Sequence, residues 1–265
     1  MTVSPGIGDE VLAGYEEFAG FYDRDSAGRS FEMYGQWFHE LAVRYGTGGR
    51  RLLDMGCATG TNALGFAGLG YEVTGCDNSP AMLALAYGKE GAGDVLFVEA
   101  DLRELPDLGR FDVCCAMTDT LAHMLTGEDL AAVFAGVARS LVPGGVFVFD
   151  RLSQRSVRRA IANPIVLDQQ EQFVVWRITP QERVGDGAGF ETRIDRFVTD
   201  PDDEQRWRRM VHRLLCRHHT TPELEDKLVA AGLNLIAVHG LQRGKLREEA
   251  DEQADDHLLY VARHA

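Results

Sequence analysis

The chain contains no apolar run long enough to span a bilayer, and its first residues, MTVSPGIGDE, lack a basic flank followed by an apolar stretch. Neither a membrane partner nor a secretory leader is expected. Basic residues are in the minority, 27 Lys and Arg against 41 Asp and Glu, for a formal net charge of −14. That balance disfavours nucleic acid, whose phosphates are gripped by basic surfaces that release counterions. The five cysteines show no metal-type or disulfide-type spacing. Cys57 and Cys76 lie at strand-to-turn junctions, and Cys114 and Cys115 sit inside an apolar strand. They read as reduced core residues of a cytoplasmic protein. No cluster of carboxylates and histidines suggests a metal, no loop has the full G-x-G-x-x-G spacing, and no internal repeat is visible.

What is present suits an α/β protein with one large core and an elaboration, since 45% of the 265 residues are apolar. Residues 10–45 carry an apolar stripe at helical spacing that includes Leu12, Tyr15, Phe18, Tyr22, Phe31, Tyr34, Trp37 and Leu41. Short apolar runs then alternate with helical segments: RRLLDMG at 50–56, YEVTGCD at 71–77, VLFVEAD at 95–101, FDVCCAM at 111–117 and GGVFVFD at 144–150. Continuous apolar runs suit strands buried on both faces, and βαβ alternation implies a parallel sheet. Ser79-Pro80 and Thr126 with Asp129 are helix-start signals. Between 163 and 219 apolar and polar residues alternate around the turn Asp200-Pro201-Asp202-Asp203, as in a small antiparallel sheet. A helix from Thr221-Pro222 and two strands, at 233–240 and 257–264, follow; the acidic stretch 248–256 between those strands reads as a solvated hairpin loop. Four segments result: a helical cap at 1–48, an α/β core at 49–160, an inserted antiparallel sheet at 161–219, and a helix and hairpin at 220–265 that complete the core sheet.

Three strand ends carry the chemistry. After the first strand, Asp54-Met55-Gly56-Cys57-Ala58-Thr59-Gly60 is small enough for a sharp turn and close approach to a ligand. On open parallel sheets, ligands bind beyond the carboxyl ends of the strands, where this loop belongs. Asp77 ends the next strand, where an acid can accept bonds from both ribose hydroxyls. Asp101, beside Leu102, ends the third; it can accept an adenine amino group while Leu102 and Met82 cover the ring. Any one aspartate could be a helix cap, but three in register favour a nucleoside pocket.

The set LLDMGCATG, VTGCDNSPAML, VEADLRELP and LVPGGVFVFD resembles the class I S-adenosylmethionine-dependent methyltransferases over residues 50–150, and the final hairpin resembles the end of that family's sheet. The resemblance implies a Rossmann-like seven-stranded sheet with helices on both faces and an antiparallel last strand. It implies S-adenosylmethionine as cofactor, with Asp54, Gly56, Cys57, Ala58, Gly60, Asp77, Asn78, Met82, Asp101, Leu102 and Met117 in contact with it. Ala58 departs from the glycine of many members, and its small side chain should do little harm.

Outside these loops, Asp119-Thr120-Leu121-Ala122-His123-Met124 resembles a stretch of glycine N-methyltransferases and antibiotic aminosugar N-methyltransferases. Tyr22 and Arg29 match a tyrosine and an arginine of the former, which implies that Arg29 pairs with the cofactor carboxylate and that Tyr22 lies near the methyl donor. Arg151 stands one residue early for that family's arginine on the substrate carboxylate. The resemblance implies methyl transfer to a small-molecule acceptor of secondary metabolism, an amine, amino acid or aminosugar. His123, Asp119 and Tyr22 would be catalytic, and Tyr15, Tyr34, Asp119, His123 and Arg151 would bind the substrate. The inserted sheet would roof the site and allow a homo-oligomer. Oxygen or carbon methylation, and a non-catalytic cofactor-binding subunit, remain open. The basic series Arg206, Arg208, Arg209, Arg213 and Arg217 reads as a solvated strand face paired with local acids.

Overall fold

The structure, a computed structural model, describes residues 7–26, 31–169, 172–181, 189–200 and 203–264. Five parallel strands form the centre of the larger sheet: β1 (Arg51–Met55), β2 (Glu72–Asp77), β3 (Val95–Glu99), β4 (Phe111–Ala116) and β5 (Leu141–Leu152). They lie in the order β3-β2-β1-β4-β5, so the chain reverses direction across the sheet between β1 and β4. Helices α3 (Thr61–Gly68), α4 (Pro80–Tyr87) and α5 (Gly127–Ser140) lie between strands in sequence. Ser79 caps α4 ahead of its first-turn proline, and Thr126 with Asp129 forms a reciprocal capping box on α5.

After α7 (Thr221–Ala230) come β10 (Leu233–Gln242), β11 (Lys245–Arg247) and β12 (His257–His264). Strand β12 runs antiparallel to both β5 and β10 and completes seven strands; the short β11 is an eighth, on the edge. The acidic stretch before β12 is not simply solvated. Glu252 pairs with the buried Arg151, and Asp255, itself fully buried, pairs with Arg247 at 2.8 Å.

Apolar clusters fill both faces. One gathers Phe134, Phe147, Phe149 and Tyr260, with Phe149 stacked on Tyr260 at 4.9 Å. The other joins Phe38 and Leu41 of α2 (Gln36–Tyr45) to Phe66 and to β1 and β4.

The inserted sheet has four antiparallel strands in chain order: β6 (Ile165–Gln169), β7 (Gln172–Pro180), β8 (Gly189–Asp200) and β9 (Asp203–Arg217). It follows α6 (Gln154–Ala162), a helix with no buried residue and therefore little apolar signal in the sequence. Arg209 of β9 pairs with Asp195 at 2.6 Å as expected of a solvated face, but Arg217 is buried and pairs with Glu223 at 2.8 Å. Helix α1 (Ile7–Asp25) lies across β9. Gly14 permits the approach, since a Cβ there would fall 2.4 Å from the Arg213 carbonyl oxygen. At the end of α1, Asp25 pairs with the fully buried Arg196, whose guanidinium also stands 4.2 Å over the Phe21 ring.

Because both charges of that pair are buried, removing one strands the other. Arg196→Met should cost about 3–5 kcal/mol in urea denaturation, whereas a loss below ~1 kcal/mol would mean that the pair is solvated.

Candidate active site

The loops beyond the carboxyl ends of β1, β2 and β4 meet at one place. Gly56 (φ 73) turns the chain out of β1, and the amides of Gly56 and Cys57 donate to the Cys76 carbonyl at 2.8 and 3.0 Å. The Ala58 amide donates to Asp77 Oδ2 at 2.8 Å, while Asp77 Oδ1 accepts from the Ser79 amide. Ala58 holds φ 47, so the glycine of many relatives matters for backbone conformation rather than size. Gly60 (φ 75) opens α3, and a Cβ there would meet the Phe97 ring at 2.7 Å.

A recess of about 290 Å³ over the first loop is lined by Tyr22, Asp54, Gly56, Cys57, Ala58 and Met117. It shares Tyr22, Gly56, Ala58 and Thr118 with a larger cavity of about 490 Å³. One end of that cavity has Asp77, Asn78, Met82, Asp101 and Leu102; the other has Tyr15, Asp119 and His123 under Trp176, Phe190 and Leu214 of the inserted sheet. Two expected groups, nucleoside-type and acceptor-type, therefore share a continuous space.

Thr118 and Asp119 both occupy the left-handed region, with φ 59 and 65. Two such non-glycine residues in succession are strained and persist only where surrounding bonds hold them. The Asp119 amide donates to Asp150 Oδ1 at 3.1 Å, and the Asp119 carboxyl accepts from the Leu152 amide at 3.3 Å. Burial, reinforced by the nearby Asp150 charge, pushes the Asp119 carboxyl up to about 7. His123 Nδ1 lies 3.0 Å from the Leu215 carbonyl and Nε2 lies 2.7 Å from the Tyr15 hydroxyl. The carbonyl can only accept, so Nδ1 carries the proton and Nε2 accepts from Tyr15. Burial lowers the histidine's basicity and keeps it neutral.

Other expected residues lie elsewhere. Gly60 shapes the turn and does not line either space. Tyr34 is buried behind the wall, where its hydroxyl donates to Asp150. The Arg151 guanidinium is taken up by Glu252 and by the Thr221 hydroxyl at 3.0 Å, away from the large cavity. Arg29 lies outside the described residues. Asp101 lines the cavity, but Arg103 holds its carboxylate below the usual range through bonds of 2.5–3.1 Å. Two residues were not anticipated: His257 at the start of β12, and Asp150, whose buried carboxylate supports it. Their only signal in the sequence was a histidine and an aspartate at the ends of two apolar strands.

The first loop carries a test of fit for a cofactor with a cationic amino group. Asp54 is 1% exposed, its Oδ2 has no hydrogen-bond partner among the described residues, and burial pushes its carboxyl up to about 7. A buried acceptor facing a recess suits an ammonium donor, so the residues fit the methionine end of S-adenosylmethionine. Below the unfolded carboxyl range Asp54 is protonated in both states and carries no penalty; as pH rises towards 7 the unfolded chain ionises while the buried carboxyl holds its proton, so ligand-free stability falls across that window. At pH 8, Asp54→Asn should raise ligand-free stability by roughly 1–3 kcal/mol in chemical denaturation. The same variant should lose the thermal shift that S-adenosylmethionine gives the wild type; a retained shift would remove Asp54 from the cofactor site.

Comparisons with known proteins agree with the fold. Residues 52–145 match the family described as a methyltransferase domain. The chain is 30% identical over 166 residues to YqeM of Bacillus subtilis (strain 168), provisionally named a methyltransferase, covering 62% of this chain and 66% of the relative. It is 26% identical over 196 residues to the dTDP-3-amino-3,4,6-trideoxy-alpha-D-glucopyranose N,N-dimethyltransferase of Streptomyces venezuelae, covering 73% of this chain and 79% of that protein. A ubiquinone biosynthesis O-methyltransferase of Alkalilimnicola ehrlichii is 36% identical over 113 residues, 41% of this chain and 44% of its own length. The fold matches that of a crystallised S-adenosylmethionine-dependent methyltransferase from Clostridium acetobutylicum with a TM-score of 0.77 and 21% identity, covering 95% of this chain and 99% of that one. The chain belongs to the class I S-adenosylmethionine-dependent methyltransferases.

Proposed function

We propose that this protein transfers the methyl group of S-adenosylmethionine to the amine nitrogen of a small molecule held under the inserted sheet. The observation that carries the reading is the continuity of the cofactor-type loops with an acceptor chamber holding the Asp119 carboxyl and the Tyr15–His123 pair. S-adenosylmethionine supplies a methyl group on a positively charged sulfur. The protein's own task is to align the acceptor in line with that group and within about 3–3.5 Å. Tyr22, which lines both spaces, stands where the two reactants would meet. Asp119 attracts a cationic acceptor. Tyr15 donates its proton to neutral His123, which fixes the orientation of its hydroxyl beside the acceptor space.

The aminosugar N,N-dimethyltransferase aligns with 73% of the chain and the oxygen-methylating relative with 41%, which supports nitrogen over oxygen. The five free, buried cysteines suit a reducing cytoplasm. Exposed Ile165, Val166 and Trp207 on the edge strands of the inserted sheet suit a homo-oligomer built through that sheet.

Labelled S-adenosylmethionine with a panel of amines, aminosugars and phenols, read by mass spectrometry, should yield a methylated amine. A methylated phenol would establish the oxygen reading instead. Asp119→Asn should raise the KM for a cationic acceptor roughly 10- to 100-fold while leaving cofactor affinity unchanged. An unaltered KM would remove Asp119 from the acceptor site.

A further inference from the structure

A second histidine faces the cavity. His257 is the first residue of β12 and pairs in register with Leu152 of β5, whose amide holds the Asp119 carboxyl. Its Nδ1 lies 2.9 Å from Asp150 Oδ2, and the Tyr34 hydroxyl donates to the same oxygen. Asp150 is fully buried, so its carboxylate needs donors, and the Nδ1 proton is one of them. Nε2 then bears a lone pair. Among the described residues no hydrogen bond to Nε2 is formed, and His257 lines the chamber alongside Asp119 and Leu152. The Tyr34 ring, packed edge-on at 5.4 Å, fixes the imidazole plane.

His123 differs in kind. Both of its nitrogens are engaged, one donating to Leu215 and one accepting from Tyr15, so it cannot take a substrate proton without releasing Tyr15. His257 has the open nitrogen and the buried carboxylate behind it, the arrangement that orients a general base and stabilises the imidazolium it becomes.

We propose that His257, oriented by Asp150 and Tyr34, accepts the proton that an ammonium acceptor must lose before methylation. This rests on the amine reading above. The N–H bond breaks and its proton passes to His257 Nε2, leaving the electron pair on nitrogen. That pair forms the N–C bond as the C–S bond of S-adenosylmethionine breaks, and the electrons of the broken bond stay on sulfur. The groups that face His257 are Asp150 of β5, Tyr34 ahead of α2 and Asp119 after β4; Asp256, its neighbour in sequence, is paired with Arg155 at 3.1 Å.

Two variants separate a base from a structural hydrogen bond. His257→Asn keeps a donor at the position of Nδ1 for Asp150 but deletes Nε2, whereas His257→Gln loses the bond to Asp150. A base role requires both to lower kcat for an amine acceptor by about 100- to 10,000-fold near neutral pH. Cofactor affinity by calorimetry should be unchanged in the Asn variant. The deficit should narrow as pH rises towards the acceptor's own pKa, because the amine then arrives already neutral. An Asn variant with wild-type kcat, or a deficit that does not vary with pH, overturns the proposal. If the wild type methylates amines while the Asn variant keeps its rate, only the role of His257 falls. If the wild type methylates phenols and no amine, the amine reading falls and takes the ammonium step with it.

Discussion

The carboxylate of Asp150 ties together three parts of the chain that nothing local would bring into contact. A fully buried carboxylate is tolerated only when donors replace the water it has lost. Its donors come from Tyr34 ahead of α2, from the Asp119 amide after β4 and from His257 at the start of the last strand, which are 116, 31 and 107 residues away in sequence. The cap, the acceptor loop and the carboxyl-terminal hairpin therefore share one anchor. The strain at Thr118 and Asp119, about 1–3 kcal/mol for each such residue, is held by this anchor and by the bond from Leu152. Asp119 and His257 at the acceptor end are each bonded to Asp150, whereas His123 is held by Tyr15 and by the Leu215 carbonyl.

The cofactor end has a different support, a row of acids on one helix. Glu16 accepts from the Ser79 hydroxyl and from the Ala81 amide at 3.2 Å. Asp23 accepts from the Thr59 hydroxyl and pairs with Lys89 at 2.8 Å, and Asp25 closes the row on Arg196. Asp23 and Asp25 lie in the last turn of α1, the end at which the helix dipole disfavours negative charge. They are stabilised there by tertiary partners rather than by the helix. Three successive contacts thus fasten α1 to the start of α4, to the first glycine loop and to the inserted sheet, and Tyr15 and Tyr22 are carried into the cavity from the same helix.

The central sheet was legible because buried parallel strands leave continuous apolar runs, and the loop acids stand at fixed places after them. The caps on α4 and α5 were legible because their chemistry is local. What escaped was long-range or lacked an apolar pattern. Tyr34 carries the same aromatic signal as Tyr15, and only the meeting of residues 34, 150 and 257 decides that one is buried behind the wall and the other faces the cavity. Arg151 has its substrate role only from the resemblance, and its actual partner, Glu252, lies 101 residues later in an acidic stretch that reads as a solvated loop. Helix α6 has no fully buried residue and a strongly polar composition, so its few apolar positions, Val157 among them, did not stand out as a core stripe. The alanine at position 58 was judged by volume, although its constraint is a backbone angle.

Asp54 and Asp119 have both been pushed up to about 7 by burial, at opposite ends of the combined space. Each is destabilising as an anion in isolation and improves when a cation is beside it. For an amine acceptor the two differ in timing. An ammonium at the cofactor's methionine end would be present before and after transfer, so Asp54 as its partner would contribute equally to every stage and serve affinity. The acceptor nitrogen is neutral at the moment of attack and becomes positive as the bond to carbon forms. A carboxylate at Asp119 therefore meets more charge in the transition state than in the ground state, which is the condition for an electrostatic contribution to rate rather than to binding alone.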